Sequence, residues 1–500
     1  MFTYSLIPKT DLKSDLLIFL FPEKAFKSKL EYLESIESDY IKNIKKVLGN
    51  KDFKGELKEN LLLYPVKDNK VKRILLIGYG KLDKIEYEKL REIGFLIGKK
   101  QIALKAKNNH IVIDNELSNT NNTIKYIAEG ILYSGYSFNE FKSEKKDKTV
   151  NATFTFLSIK EEIKNDLNSE FKKILAINEG IVITRNLANI PSNHLTPRIL
   201  QKKVRDLFKD IKSIKIEVLD KKQLTEQKFR LLLSVAQGSK QEPSLIILRY
   251  QPEKSNGKKI AIVGKGVTFD SGGISIKPSA NMDEMKFDMA GAATTVGIIK
   301  TASILKPKTE LIGIIPAVEN MPGGNAVKPG DIIKAYNGKT IEIINTDAEG
   351  RLILADSLAY AVKRFKPHLI IDFATLTGSI VAALGDKMAG MFSNSDDLIN
   401  VFKEAGNLSG DLVWSMPLLD SYSKLLESKY ADIANIGGKW GGAITAAKFL
   451  ENFISNNKWV HFDIAGTAND VKNVDYLPEG ATGYGPRLFF TALEEIEQIL

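Results

Sequence analysis

The sequence predicts an α/β protein of two domains. A smaller N-terminal α/β domain spans 1–165, and a larger C-terminal domain spans 166–500 with a mixed, largely parallel sheet flanked by helices. Three observations carry this. The chain has 500 residues, more than one ordinary domain core takes up. From Ile214 onward, short β-branched runs alternate with helix-period segments, the pattern of a parallel sheet covered on both faces. A charged run at 143–148, a strand-like stretch at 151–157 and a second charged run mark a boundary near 158–170. No period repeats along the chain, which argues against a solenoid.

In the first domain, apolar runs at 16–21, 73–77 and 110–113 read as strands and 124–136 as a helix. Gly78-Tyr79-Gly80 after a strand resembles the start of a dinucleotide fingerprint, but Asp83 stands where the third glycine belongs. A strand-ending turn is the better reading. A long helix at 168–187, with Phe171, Ile174, Leu175, Ile181 and Val182 on its apolar side, joins the domains. Thr196-Pro197 supplies an N-cap and a first-turn proline for the next helix, which carries Leu200, Val204, Leu207 and Phe208. Strands at 214–219, 245–250, 260–263, 311–315, 369–373 and 459–464 build the second sheet, with a helix at 224–235 between the first two. Asn337-Gly338 is a hairpin turn leading into a strand at 340–344.

Composition narrows the chemistry. The absence of cysteine removes disulfides, thiolate zinc sites and a cysteine nucleophile together. His110, His194, His368 and His461 form no i, i+4 pair, so a histidine-based zinc site of the HExxH kind is absent. Any metal would have to be held mainly by oxygen ligands, with lysine as a further candidate. The net charge of +10 is spread along the whole chain, so nucleic acid enters only as a secondary partner. The short apolar run near the N-terminus is not a signal peptide, and no run reaches the ~18 residues needed to span a bilayer. A cytoplasmic protein with no membrane partner is the expectation.

Three stretches carry candidate chemistry. Asn345-Thr346-Asp347-Ala348-Glu349-Gly350-Arg351-Leu352 puts two carboxylates and a guanidinium where a strand ends and a helix with Leu354, Leu358, Ala361 and Val362 begins. Thr346 with Glu349 also fits a capping box, the purely structural alternative. Gly264 to Pro278 holds Lys265, Asp270 and Lys277 among glycines. It lacks the spacing of a phosphate-binding loop, and its lysines taken alone read better as solvated turn residues. The third, Asn281 to Ala293, places Asp288 early on a helix marked by Met285, Met289, Ala292, Val296 and Ile299. A carboxylate there needs a partner or a metal unless it is exposed, as Asp283, Glu284 or Asp288 can each be in a first turn. Asp270, Asp288, Asp347 and Glu349 together can offer hard oxygen ligands to two divalent ions.

These segments closely resemble the leucyl (cytosol) aminopeptidases, the M17 family of dinuclear metallopeptidases. The resemblance continues through 185–191, 371–378, 431–435, 446–450 and 461–466, covers roughly 170–490, and is loose in the N-terminal third. Pro486 before Arg487 is a small departure, since an aliphatic residue is expected there. The resemblance implies a metal-dependent aminopeptidase that releases leucine-like N-terminal residues from short peptides by attack of a metal-bridging hydroxide. It implies two divalent ions, Mn²⁺ or Zn²⁺, on Lys265, Asp270, Asp288, Asp347 and Glu349, with Asp270 and Glu349 touching both. Lys277 and Arg351 take the catalytic positions, and Arg351 holds a bicarbonate that assists proton transfer. A homohexamer working in intracellular peptide turnover is also implied, the N-terminal domain being the candidate for assembly contacts. Two other classes compete: a non-catalytic nucleic-acid-binding scaffold, and a two-metal phosphohydrolase, which leaves Lys265 and Lys277 unexplained.

Overall fold

Seven consecutive buried residues, Leu16 to Pro22, suit only a strand covered on both faces. The computed structural model, which describes residues 1–6, 12–23, 39–65, 70–81, 86–113, 121–144, 151–158 and 167–500, places them inside a six-stranded sheet. The elements of this region are β1 (Phe2–Leu6), β2 (Leu16–Pro22), α1 (Asp39–Gly49), β3 (Asn60–Leu63), β4 (Ile74–Gly80), α2 (Tyr87–Leu104), β5 (Asn108–Ile113), α3 (Asn121–Ser134) and β6 (Thr153–Ser158). Strand order is β1-β6-β5-β2-β4-β3, parallel except for the β3–β4 pair. Alternate residues of β2 enter two cores: Leu16, Ile18 and Leu20 pack with α2 and α3, and Leu17, Phe19 and Phe21 with α1. The predicted boundary between 165 and 166 lies outside the described residues, as do Asp83 and 145–148 of the charged run.

By contacts the chain forms two units, Met1–Asn178 with Asn473–Pro478, and Glu179–Lys472 with Glu479–Leu500. The first therefore borrows a late segment. Tyr476 is buried in it, its hydroxyl bonded to Glu88 and its ring 5.6 Å from that of Tyr133.

The second unit begins within α4 (Leu167–Asn189) and continues through α5 (Pro197–Phe208), β7 (Ile214–Leu219), α6 (Lys221–Glu226), α7 (Arg230–Ala236), β8 (Ser244–Tyr250), β9 (Lys259–Gly264) and β10 (Gly266–Asp270). Next come α8 (Ala290–Leu305), β11 (Glu310–Asn320), β12 (Ile332–Lys334), β13 (Thr340–Glu342), α9 (Gly350–Phe365), β14 (Leu369–Ala374), α10 (Gly378–Leu384) and β15 (Ala389–Ser393). The remainder are α11 (Asp396–Ser409), β16 (Val413–Ser415), β17 (Ile433–Ala434), α12 (Gly442–Glu451), β18 (Lys458–Asp463) and α13 (Pro486–Ile499). Nine strands form one sheet in the order β16-β15-β18-β14-β9-β11-β8-β7, with β10 paired to β11. It is mixed and largely parallel, antiparallel only at β15–β18, β8–β11 and β7–β8. A small sheet of β12, β13 and β17 stands apart.

Four local readings are corrected by the fold. The helix expected over 224–235 is two, because Lys228 takes a left-handed backbone (φ 68°) between α6 and α7. Asp288 does not lie on a helix; it follows a 3₁₀ turn (Met282–Phe287) and precedes α8. A third of the glycine-rich stretch is the strand β10, in which Gly266, Val267 and Asp270 pair with β11. No capping box starts α9: Glu349 is itself the N-cap position, and the Thr346 hydroxyl donates instead to the Gly272 carbonyl at 2.7 Å. Pro486 sits in the first turn of α13, where its missing N–H costs nothing.

Candidate metal centre

Parallel strands deliver their carboxyl ends to one edge of a sheet, and loops there can converge. β9 ends into Lys265, β10 on Asp270, β14 into Thr375 and β18 on Asp463. Asp288 stands just before α8, and the loop after β13 brings Asp347, Glu349 and Arg351 into the same space. The approach is close. A Cβ on Gly291 would lie 2.0 Å from the Phe373 carbonyl oxygen, and one on Gly350 would lie 2.4 Å from the Lys265 side chain, so only glycine lets α8 and α9 start here.

The carboxylates of Asp270, Asp347 and Glu349 each bring an oxygen within 4.8 Å of the other two. Lys265 Nζ lies 2.6 Å from Asp288 Oδ1, 2.9 Å from Glu349 Oε1 and 2.8 Å from the Thr375 carbonyl oxygen. Lys277 Nζ lies 2.9 Å from Asp270 Oδ2 and 2.5 Å from Asp347 Oδ1. The structure thus gathers six of the residues singled out in the sequence. Asp283 and Glu284, by contrast, are exposed.

Four carboxylates face two ammonium groups, an excess of negative charge in a buried place. Its electrostatic signature is clear. Burial by itself favours the neutral amine in Lys265, yet Asp288, Glu349 and Asp270 outweigh it and hold the ammonium form well above its usual range. Lys277 behaves the same way through Asp270 and Glu349. Burial pushes Asp288 and Glu349 up, and the neighbouring Asp270 carboxylate adds to both. Asp347 rises for the same two reasons. Cations added here would relieve all of these at once.

The donor set fits such cations. Asp288 Oδ2 and Glu349 Oε2 are buried with no hydrogen-bond partner among the described residues, which is costly for a carboxylate oxygen unless something positive meets it. The ligand types are hard oxygens plus one amine, suited to Mg²⁺, Mn²⁺ or Zn²⁺ rather than to soft-metal chemistry.

Around this cluster lies a supporting layer that motif reading missed. Asn320 donates from Nδ2 to Asp270 Oδ1 (2.8 Å) and to the Thr346 carbonyl (3.1 Å), tying two of the acidic segments together. Asn435 receives the Ile344 N–H at 2.8 Å and donates to the Asn345 carbonyl at 2.7 Å; its own carbonyl accepts from Arg351 Nη1 at 2.7 Å. Asp463 accepts from the Thr377 hydroxyl (2.7 Å) and the Leu376 N–H (3.0 Å), and so holds the loop whose Thr375 hydroxyl bonds Asp288 at 2.7 Å. Behind it Asp372 takes a hydrogen bond from Trp459 Nε1 and pairs with His461 Nδ1. Nothing in the spacing of Asn320 signalled its role; Asn435 and Asp463 stand inside recognisable segments but carry no local mark of function.

Residues 182–490 match the cytosol aminopeptidase family, catalytic domain, and residues 17–145 match that family's N-terminal domain. The chain belongs to the cytosol aminopeptidase family. It is therefore a metal-dependent aminopeptidase, a hydrolase acting on peptides. A probable cytosol aminopeptidase of Pseudomonas fluorescens (strain Pf0-1) is 41% identical over 88% of this chain and 88% of its own length. One from Roseiflexus castenholzii is 41% identical over 89% and 92%, and one from Clostridium perfringens 39% over 91% and 93%. Among solved structures, a tomato leucine aminopeptidase mutant superposes with a TM-score of 0.86 at 31% identity, covering 99% of this chain and 96% of that one. The bottromycin maturation enzyme BotP in complex with Mn gives 0.81 at 27% identity, covering 96% and 99%. The aminopeptidase match reaches into the N-terminal third, where motif resemblance was loose. No helix among the described residues is long and apolar enough to cross a membrane.

Proposed function

We propose that this aminopeptidase releases leucine-like residues from the N-termini of short peptides, using two divalent ions held by Lys265, Asp270, Asp288, Asp347 and Glu349. The observation that carries this reading is the cluster of three buried carboxylates and the half-buried Asp347, with the Asp288 Oδ2 and Glu349 Oε2 oxygens left unpartnered among the described residues. Asp270 and Glu349 would serve both ions, Lys265 and Asp288 would complete one site, and Asp347 would complete the other. Mn²⁺ and Zn²⁺ both suit this set. When bound, such a pair of ions supplies hydroxide at neutral pH and polarises the scissile carbonyl.

The chain's own groups do the rest. Lys277, only partly buried, donates to the carbonyl oxygen as negative charge gathers there. Arg351 is 7% exposed and its Nε has no partner among the described residues, which supports a planar anion such as bicarbonate beside it as proton carrier. Arg351 remains cationic at neutral pH although burial lowers its pKa to about 10. Met285 is half-buried rather than part of the core, which favours a place for it, with the 375–378 loop, along an apolar pocket for the first side chain.

Family membership supports a homohexamer, with the N-terminal domain of 1–165 in its contacts, and work in cytoplasmic peptide turnover. The test is hydrolysis of leucine p-nitroanilide by metal-stripped protein before and after Mn²⁺ or Zn²⁺, with the N-acetylated substrate as control. Cleavage of the free-amine substrate alone, and only with metal, is expected. Folded protein that cleaves neither under any metal overturns the reading.

A further inference from the structure

Near the middle of α9, three chain segments meet around a buried carboxylate. Asp356 is fully buried, and its Oδ2 accepts the N–H groups of Leu231 (2.9 Å) and Leu232 (3.2 Å) while Oδ1 accepts that of Tyr336 (2.8 Å). It fastens the start of α7, the turn after β12 and the middle of α9 to one another. Burial pushes this carboxyl up to about 7 despite the three donors, so the chain tolerates an unfavourable charge to hold the junction. The rings of Phe229, Tyr336 and Tyr360 pack beside it with centroids 4.9 to 5.7 Å apart.

On the outside of this junction is a cavity of about 200 Å³ lined by Lys228, Arg230, Lys334 and Lys363, with Tyr336 and Gln227 between them. Among the described residues, no carboxylate lines it. None of the four cations makes an ion pair among the described residues. Lys363 lies over the Tyr336 ring at 5.4 Å, and the Lys334 side chain passes over Gly338, where a Cβ would stand 3.9 Å away. Four like charges brought to one concavity by a stiff frame repel one another, and an anion reverses the sign of that term.

We propose that this basic cavity is a binding site for a phosphoryl group, distinct from the metal centre. Size argues for the group itself rather than a whole nucleotide, since pockets for drug-sized ligands run to roughly 300–1,000 Å³. Lys363 and Arg351 share α9 and stand twelve residues apart, roughly 18 Å along a helix of 1.5 Å rise per residue. A phosphoryl group here therefore lies beyond contact with the peptide substrate.

The experiment is calorimetric titration of metal-loaded protein with inorganic phosphate and, in a second arm, uridine monophosphate, comparing wild type with the double variant Lys334→Gln/Lys363→Gln. Both positions are exposed and outside the peptidase machinery, so leucine p-nitroanilide turnover stays at the wild-type rate and reports an intact fold. Affinity for phosphate is expected to fall at least about tenfold in the double variant, the effect of losing one charged hydrogen bond. Equal affinity for the two ligands marks free phosphate as the natural occupant; tighter binding of the monophosphate marks a phosphomonoester. No binding by wild type, or equal binding by the double variant, overturns the proposal. So does binding that Asp347→Asn abolishes, because the phosphate then sits at the metal centre, and so does duplex DNA outcompeting both small ligands.

Discussion

The Asp463 carboxylate holds the Thr377 hydroxyl at 2.7 Å, and through this bond the last strand of the large sheet fixes a loop that touches Lys265 and Asp288. Removing it leaves Thr377 and the Leu376 N–H without their acceptor. Asp463→Ala is expected to weaken binding of one of the two metal ions about 10- to 100-fold, the range for outer hydrogen-bonding partners of metal ligands. Equilibrium dialysis with metal analysis reads this directly. Unchanged retention of both ions would show that the loop holds itself.

Lys277 faces Asp270 and Asp347 from the more open side of the cluster, where the reacting carbonyl must lie. Lys277→Ala is expected to lower kcat by about 100- to 1,000-fold with a much smaller change in KM, because its bond strengthens only as charge develops. Steady-state kinetics at saturating metal decide it. An unaltered kcat would remove Lys277 from the reaction.

Stripping the metals leaves Asp270, Asp288, Asp347 and Glu349 to repel one another with only two lysines among them. Chelation should abolish activity and lower the melting temperature; re-added Mn²⁺ should restore both. At a thousandfold excess over Kd the linkage amounts to about 4 kcal/mol. Identical melting curves with and without chelator would contradict a cluster built for cations.

In the N-terminal unit, Asp15 joins β2 to β5 by accepting the Lys107 and Asn108 N–H groups at 3.0 Å each, and it pairs with Lys72 at 2.6 Å. Lys72 first, and then the backbone donors, bring its pKa down to about 2. A lowered folded pKa contributes stability above the unfolded value near 4 and loses it as pH falls through about 2. Solvent screening limits the effect to about 1 kcal/mol. Urea unfolding of Asp15→Asn should show that deficit at pH 6, shrinking steadily below pH 4; a deficit independent of pH would assign it to packing.

Strands made of long apolar runs were legible in the sequence because burial on both faces leaves no other reading: 369–373 and 459–464 differ from β14 and β18 by a residue or so at each end. The meeting of Asp270, Asp347 and Glu349 was legible because each sits in a short glycine-punctuated motif at a strand end. Less local facts were not. Lys228 breaks a helix whose apolar periodicity continues across it, since the left-handed turn is imposed by the junction around Asp356. Thr346 looked like a cap because its spacing to Glu349 is right, but tertiary bonds to Gly272 and Ser275 claimed its hydroxyl. Asn320 and Asp463 act across 26 to 87 positions of sequence, a distance over which no motif reaches.

The order of the large sheet also sets a schedule. β18 is the last strand to be made, yet it lies in the interior, between β14 and β15, rather than at an edge. While the chain is still leaving the ribosome, the acidic segments are present long before the strand that supports their loop. The loop beside Lys265 and Asp288 therefore gains its last support only once β18 has been made.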